Sequence, residues 1–275
     1  MSPRIILIET STSLCSTALL EGDSVTVRRI SSEPRAHAAM TAPFVKEILD
    51  ERGLKVSDCD AVCLSMGPGS YTGLRVGSST AKGLCFGGGI PLLAVSTLDV
   101  LVAQAVAAGL PEGCRYIIPM IDARRMEVYT AVYTADGERL TEIAPVVVEE
   151  FASIGNLPQI AQRDASATAS DPATSILASL RLSNAGPKLP SPAESRCAWD
   201  TTGNECGVLF IGDGVAKCEK VLAGEGRWFR QECPRADAMM QPALREWRAG
   251  AFRDTAYFEP FYLKDFIATT PKKLF

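Results

Sequence analysis

Met66-Gly67-Pro68-Gly69-Ser70-Tyr71-Thr72-Gly73-Leu74-Arg75-Val76-Gly77 follows an apolar run that begins at Ala61. A short apolar run that ends in glycine and proline reads as a buried strand entering a tight turn. Ser70 or Thr72 then reads as the N-cap of a helix. Strand, glycine turn and helix present backbone N–H groups, an arrangement that suits an anion. The same order also serves as an ordinary strand-to-helix connection. The turn is not a Walker A loop, because no Gly-Lys-Ser/Thr ending is present and the next lysine is Lys82. Gly67, Gly69 and Ser70 are therefore candidate nucleotide or anion residues, with a plain connection as the alternative.

The helix launched by this turn, Thr72 to about Phe86, has only Arg75 and Lys82 as charges. Gly73, Gly77 and Ala81 recur every four residues and make a smooth stripe, with Leu74 and Thr80 beside it. Glycine inside a helix costs about 0.5–1 kcal/mol relative to alanine, so several of them ask for a close compensating contact. The chain's own sheet would supply one, and so would a partner's helix. The preceding helix, residues 36–52, places Met40, Ala42, Phe44, Val45, Ile48 and Leu49 on an arc wider than the ~100° stripe of a single core contact. His37 and Thr41 lie within that arc. Either the helix is half-buried with His37 capped or solvated, or it packs on its own core and on a partner as well.

Working outward, residues 4–9 read as a buried strand, followed by the polar turn Thr10–Ser13. Leu14–Leu20 and Ser24–Ile30 form two further strands joined by a hairpin signal. After the central helices come a strand at Pro91–Val95 and a helix capped by Ser96 or Thr97 and running to about Ala108. Strands then return at Arg115–Ile121, Met126–Tyr133 and Leu140–Val148, with a short helix from Glu149. Residues 161–206 are rich in Ala, Ser, Thr and Pro and read as a long polar insertion. Order resumes with a strand at Gly207–Ile211, the turn Gly212-Asp213-Gly214 and a helix to about Leu222. A helix over Asp237–Trp247 and an extended aromatic segment, Tyr257–Lys264, close the chain. The second block repeats the order of the first, strands then helices, which predicts two lobes. Their expected limits are 1–108 and 109–235, with 236–275 packing back on the first.

Composition narrows the function classes. The chain has 275 residues, 47% hydrophobic and 22% charged, with net charge −4. That excludes a broad basic surface that would hold nucleic acid unaided. No apolar run reaches the ~18 residues of a membrane span, and the start is too short for a signal peptide, so the expected location is the cytoplasm. Nine cysteines show no C-x-x-C pair and read as reduced, buried thiols. His37 is the sole histidine, so no site with two histidine ligands exists and no metal is expected. No nucleophile–base pair can be assembled around it either. Asp122, Arg124, Arg125 and Glu127 form a charged knot at a strand break. Arg124 or Arg125 could bind a phosphate or a partner carboxylate there, or the knot could be a structural ion-pair cluster.

Several stretches together carry a resemblance. Ile-Glu-Thr-Ser-Thr at 8–12, Cys-Ser-Thr-Ala-Leu at 15–19 and Gly67–Gly77 are joined by Ala-Lys-Gly-Leu at 81–84 and Val-Ser-Thr-Leu at 95–98. Ile121-Asp122-Ala123-Arg124 and the closing Pro-Phe-Tyr-Leu-Lys complete the set. This combination resembles the TsaB family, also called YeaZ. The resemblance implies an actin-like α/β fold (ASKHA, ribonuclease H-like) of two lobes, with mixed sheets flanked by helices. It implies a noncatalytic subunit that pairs with a TsaD-like catalytic subunit and, with a TsaE-like ATPase, serves N6-threonylcarbamoylation of ANN-decoding tRNAs. The tRNA would be reached indirectly through the complex. No cofactor is expected on the isolated chain, with ATP or ADP at or near the complex interface. Without its partner the chain would form a homodimer.

The family's pairing surface, a bundle of the first two helices, maps onto His37, Met40, Thr41, Phe44, Ile48, Gly73, Leu74, Gly77, Thr80 and Ala81. A charge at Gly77 or Ala81 would then abolish pairing and leave the fold intact. The alternative is an actin-fold ATPase or small-molecule kinase, with Thr10, Ser11, Gly67, Gly69, Ser70 and Arg124 around a nucleotide. Four departures stand out: Glu9 in place of the usual Asp, Met66 where many relatives have Arg, Arg125-Met126 where relatives often read Met-Gly, and the length of 161–206.

Overall fold

Ile5 to Ile8 are all fully buried, as an apolar run with no polar alternation requires of a central strand. This strand, β1 (Arg4–Glu9), pairs antiparallel with β2 (Cys15–Glu21), which pairs antiparallel with β3 (Ser24–Ser31). On its other side β1 runs parallel to β4 (Ala61–Ser65), and β4 parallel to β5 (Leu92–Val95). The first sheet thus has the order β3-β2-β1-β4-β5. The computed structural model describes residues 2–34, 36–148, 207–224 and 226–263.

A second sheet repeats the plan. β6 (Cys114–Asp122) pairs antiparallel with β7 (Glu127–Thr130), and β7 antiparallel with β9 (Ala144–Val147). β10 (Gly207–Ile211) lies parallel to β6, and β11 (Arg227–Arg230) parallel to β10. A two-residue strand, β8 (Tyr133–Thr134), pairs with β6 off this path. Read from β9, the second sheet runs third, second, first, fourth, fifth, as the first does. The two lobes expected from the repeated block order are therefore one strand topology used twice.

Alternate residues of β1 point to opposite faces. Ile6 and Ile8 join the core under α1 (Ala36–Glu51) and α2 (Tyr71–Gly88), with Val45, Ile48, Ala81 and Cys85. Ile5 and Leu7 join the opposite core with Met239, Ala243 and Leu244, from a 3-10 turn at Ala236–Met239 and helix α5 (Met240–Arg248). In the second sheet α4 (Val215–Leu222) covers one face. The other face meets α3 (Thr97–Ala107), whose Leu98, Leu101, Val102 and Ala105 pack there while its Val100 belongs to the first lobe's core. A helix buried on several sides needs apolar residues all round, and α3 has them.

The expected boundaries shift where local chemistry was misread. α2 passes through Gly87 and Gly88 and stops at Gly89, whose φ of 65° provides the left-handed cap. Gly88 is needed there, because a Cβ would stand 2.7 Å from the Val56 side chain. The run Met126–Tyr133 divides into β7 and β8, and Leu140–Val148 shortens to β9. β11 was not foreseen: all four of its residues are half-buried, so it carries no alternating pattern. The short helix from Glu149, the insertion 161–206 and the end of the aromatic segment lie outside the described residues.

Candidate functional site

β1 and β4 are parallel neighbours, so the turn after each leaves the same edge of the sheet. Thr10–Ser11 and Met66–Ser70 therefore meet. The Ser70 N–H donates to the Ser11 carbonyl at 2.6 Å, and Thr10 Oγ1 donates to the Gly73 carbonyl at 2.9 Å. Ser70 Oγ caps α2 by accepting from the Gly73 N–H at 3.3 Å. A Cβ on Gly69 would lie 2.3 Å from the Ser11 carbonyl, one on Gly73 2.0 Å from the Thr10 carbonyl, and one on Gly77 2.3 Å from Thr10 Oγ1. The other flank is closed by the C-terminal segment: the Phe261 N–H donates to the Met66 carbonyl at 2.7 Å, and Gly67, at φ 110°, faces the Phe261 carbonyl.

This corrects two expectations. The glycine stripe on α2 is no open groove, because the chain's own Thr10–Ser11 loop fills it. Thr10, Ser11, Gly69 and Ser70 are indeed brought together, with Ser70 bonded to Ser11 and Thr10 to Gly73, while Gly67 faces Leu74 and Phe261. At the start of α2 the Ser70 N–H is therefore taken by the Ser11 carbonyl, while the Thr10 carbonyl packs on the Cα side of Gly73.

The expected pairing residues divide. Thr41, Phe44, Ile48, Gly73, Leu74, Gly77 and Ala81 are buried inside the lobe, and His37, Met40 and Thr80 are half-buried. Thr41 Oγ1 donates back to the His37 carbonyl at 2.6 Å and touches Cys15 Sγ. His37 Nε2 is buried without a hydrogen-bond partner. A charge at Gly77 or Ala81 would enter this core, so the expectation that it spares the fold does not hold. The outward surface of the pair is instead Ala38, Ala39, Ala42 and Pro43 on α1 with Thr72, Arg75, Ser79, Gly83 and Phe86 on α2. Phe86 is 91% exposed. The helix period already places it opposite the glycine stripe, which is the signal that could have found it.

In the second lobe the end of β6 meets the Gly212-Asp213-Gly214 turn after β10. Gly212, at φ 141°, packs on Met120, and the Gly214 N–H donates to the Met120 carbonyl at 3.0 Å. Asp213 Oδ1 accepts from the Asp122 N–H at 2.9 Å, and Asp122 Oδ1 accepts from the Arg124 N–H at 2.8 Å. Lys217 Nζ reaches the Asp122 carboxylate and the carbonyls of Arg125 and Glu127. Burial, more than the Asp122 charge, pushes Asp213 up to about 6, with the Asp122 N–H and Lys217 working against the shift. The charged knot is thus an ordered cluster whose two arginines point outward.

Glu9 lies at the end of β1 and is fully buried. Its Oε1 accepts from the Ser11 N–H at 2.6 Å, while Oε2 has no hydrogen-bond partner. Burial foremost raises its pKa; the nearby Ser11 and Ser65 hydroxyls pull it partly back without closing a bond to Oε2, and Asp213 adds to the rise. Among the described residues no three His, Cys, Asp or Glu side chains are grouped so as to hold a metal ion. No helix among them is long and apolar enough to cross a membrane.

Comparison with known proteins follows the same lines. The family model described as "TsaD: tRNA N6-adenosine threonylcarbamoyltransferase" matches residues 30–268. The "tRNA threonylcarbamoyladenosine biosynthesis protein TsaB" of Escherichia coli K12 is 38% identical over 133 residues, 48% of this chain and 56% of that protein. The protein of the same name from Bacillus subtilis 168 is 34% identical over 142 residues, 51% of this chain and 59% of that one. The chain thus spans about half the length of the curated relatives it matches. The structure of YeaZ from Pseudomonas aeruginosa superposes with a TM-score of 0.66 at 24% identity, over 95% of this chain and all of that one. That likeness extends to the fold, two mixed sheets with their helices in the actin-like arrangement.

Proposed function

Because this chain belongs to the TsaD-related TsaB/YeaZ family, we propose that it is a noncatalytic subunit in the biosynthesis of threonylcarbamoyladenosine in tRNA. In this reading it pairs with a TsaD-like catalytic subunit, works in the cytoplasm with a TsaE-like ATPase, and reaches tRNA only through the complex. The observation that carries the noncatalytic part is the filled glycine turn. The Ser11 carbonyl takes the Ser70 N–H that an anion at the head of α2 would otherwise meet. With one histidine in the whole sequence, a metal-binding histidine pair cannot come from this chain either.

The pairing surface in this reading is the outward face of α1 and α2, centred on Phe86. The match of the TsaD model to this chain supports a homologous partner, and in this reading the partner brings a two-helix layer of its own that packs on this one as a near-symmetric bundle. Without the partner, a second copy of this chain covers the same face. Co-expression with a TsaD-like subunit tests the proposal. The expected result is a stable one-to-one pair and, with the ATPase added, modified tRNA. A chain that catalyses threonylcarbamoyl transfer alone, or that never co-purifies with the TsaD-like subunit, overturns it.

A further inference from the structure

The C-terminal segment lies along α2 and adds a third rail to the outward face of α1 and α2, and we propose that its Tyr257 is an anchor for the homologous partner. The inference rests on the pairing reading above and names a contact outside the two-helix layer.

The segment is tied down along its length. The Arg253 N–H donates to the Leu92 carbonyl at 2.8 Å, at the edge of β5. Lys82 Nζ donates to the Ala256 carbonyl at 3.2 Å, and Phe258 packs against the core beneath α2. The Tyr262 ring then meets the Tyr71 ring, with centroids 5.0 Å apart. Residue 256 thus lies by Lys82 and residue 262 by Tyr71, so the segment runs antiparallel to α2. At about 100° per residue, Tyr71, Arg75, Lys82 and Phe86 fall within about 60° of one another around the helix axis. The segment therefore follows one edge of α2, and Phe86 belongs both to that edge and to the pairing face.

Anchored in this way, the segment alternates. Phe258 and Pro260 are half-buried, whereas Tyr257 and Glu259 stand exposed. Tyr257 is 84% exposed and Phe86 91%, the two most exposed large apolar side chains among the described residues. Tyr257 follows the carbonyl that Lys82 holds, and Phe86 is one turn on from Lys82. Helical side chains lean toward the N-terminus, so Phe86 leans over the turn that carries Lys82. Beside them a Cβ on Gly83 or Gly87 would meet nothing within 4 Å, which leaves room for a partner's backbone. A tyrosine offers a rigid apolar body and a polar tip, the chemistry of an interface anchor. Arg75 and Lys82, the only charges of α2, share this edge. The partner edge that fits is an apolar slot with an acceptor for the phenol and a carboxylate nearby.

Calorimetric titration of the full chain with a TsaD-like subunit tests this, with Tyr257→Ser measured beside Phe86→Ser. Each variant should bind about tenfold or more weakly, while its own unfolding midpoint stays near wild type. If Phe86→Ser weakens the pair and Tyr257→Ser does not, the anchor is overturned and the pairing reading stands. A wild-type chain that does not bind the subunit overturns both. A Tyr257→Ser chain that unfolds at a clearly lower temperature would show that its own chain covers the ring. One that loses self-association yet pairs normally with the subunit would make a second copy the occupant. Either result overturns the proposal.

Discussion

Thr10 Oγ1 donates at 2.9 Å to the carbonyl of Gly73, and the same hydroxyl fills the space beside Gly77 where a side chain would begin. The loop after β1 is thereby locked into α2, and two glycines that weaken the helix are explained by one close approach. Alanine at either position gains about 0.5–1 kcal/mol of helix propensity. Each should nonetheless destabilise the chain by about 1–3 kcal/mol through overpacking. Their rescue should differ. The obstacle to Gly77→Ala is the Thr10 hydroxyl, so adding Thr10→Ala should recover most of the loss. The obstacle to Gly73→Ala is the Thr10 backbone carbonyl, which no substitution at residue 10 removes. A double-mutant cycle in urea that shows equal coupling for the two glycines would contradict this packing.

Phe86 and Ala81 lie on opposite sides of one helix, one 91% exposed and the other fully buried. Phe86→Glu should keep the unfolding midpoint near wild type, since exposed substitutions usually stay within about 0.5 kcal/mol. It should weaken pairing with a TsaD-like subunit by about 2 kcal/mol or more, roughly thirtyfold, if Phe86 is the anchor of the interface. Ala81→Glu should lose the fold itself, because it drives an unpaired charge into the core under α2. Circular dichroism and pull-down on the two variants separate these outcomes. A folded Ala81→Glu, or a Phe86→Glu that pairs normally, would refute the assignment of faces.

Much of the first lobe was legible because its signals are local. Ser70 caps α2 and Ser96 caps α3 as the sequence suggests, and the continuous apolar run of β1 is a central strand. The role of the glycine stripe was not legible, because periodicity shows that something approaches closely and cannot show what. Here the occupant is a loop 63 residues earlier in the chain. α1 misled for a related reason: its wide apolar arc counts Ala42, which is exposed, together with Phe44 and Ile48, which are core. The charged knot was visible as composition, but the left-handed backbone of Arg124 and Arg125, at φ 65° and 50°, was not, since nothing in Ala-Arg-Arg-Met asks for positive φ.

Tyr133, almost fully buried, donates its hydroxyl to Asp99 Oδ1 at 2.7 Å, while Arg245 takes Asp99 Oδ2 at 2.8 Å. One carboxylate thus joins α3 to the second sheet and to α5. Tyr133→Phe removes a hydrogen bond to a charged acceptor and should cost about 1.5–3 kcal/mol. Arg245→Ala removes a more exposed partner and should cost no more than about 1 kcal/mol. Urea titration of the two variants tests the ranking, and a larger loss for Arg245→Ala would reverse it.

Glu9 and Asp213 should make the chain less stable as pH rises through the weakly acidic range. Both carboxyls are raised above their ordinary values, chiefly by burial, and Asp213 stands at about 6. The native chain therefore keeps protons that the unfolded chain releases near pH 4. Between those points the unfolded state binds fewer protons, so stability falls with pH and levels off above the native values. Glu9→Gln keeps an acceptor for the Ser11 N–H and removes the charge. It should therefore flatten the profile and be more stable than wild type at pH 7, while Asp213→Asn removes only the part of the slope between about pH 4 and 6. Wild type and Glu9→Gln with parallel stability profiles from pH 4 to 8 would show that the buried carboxyl ionises in the native state as readily as in the unfolded one.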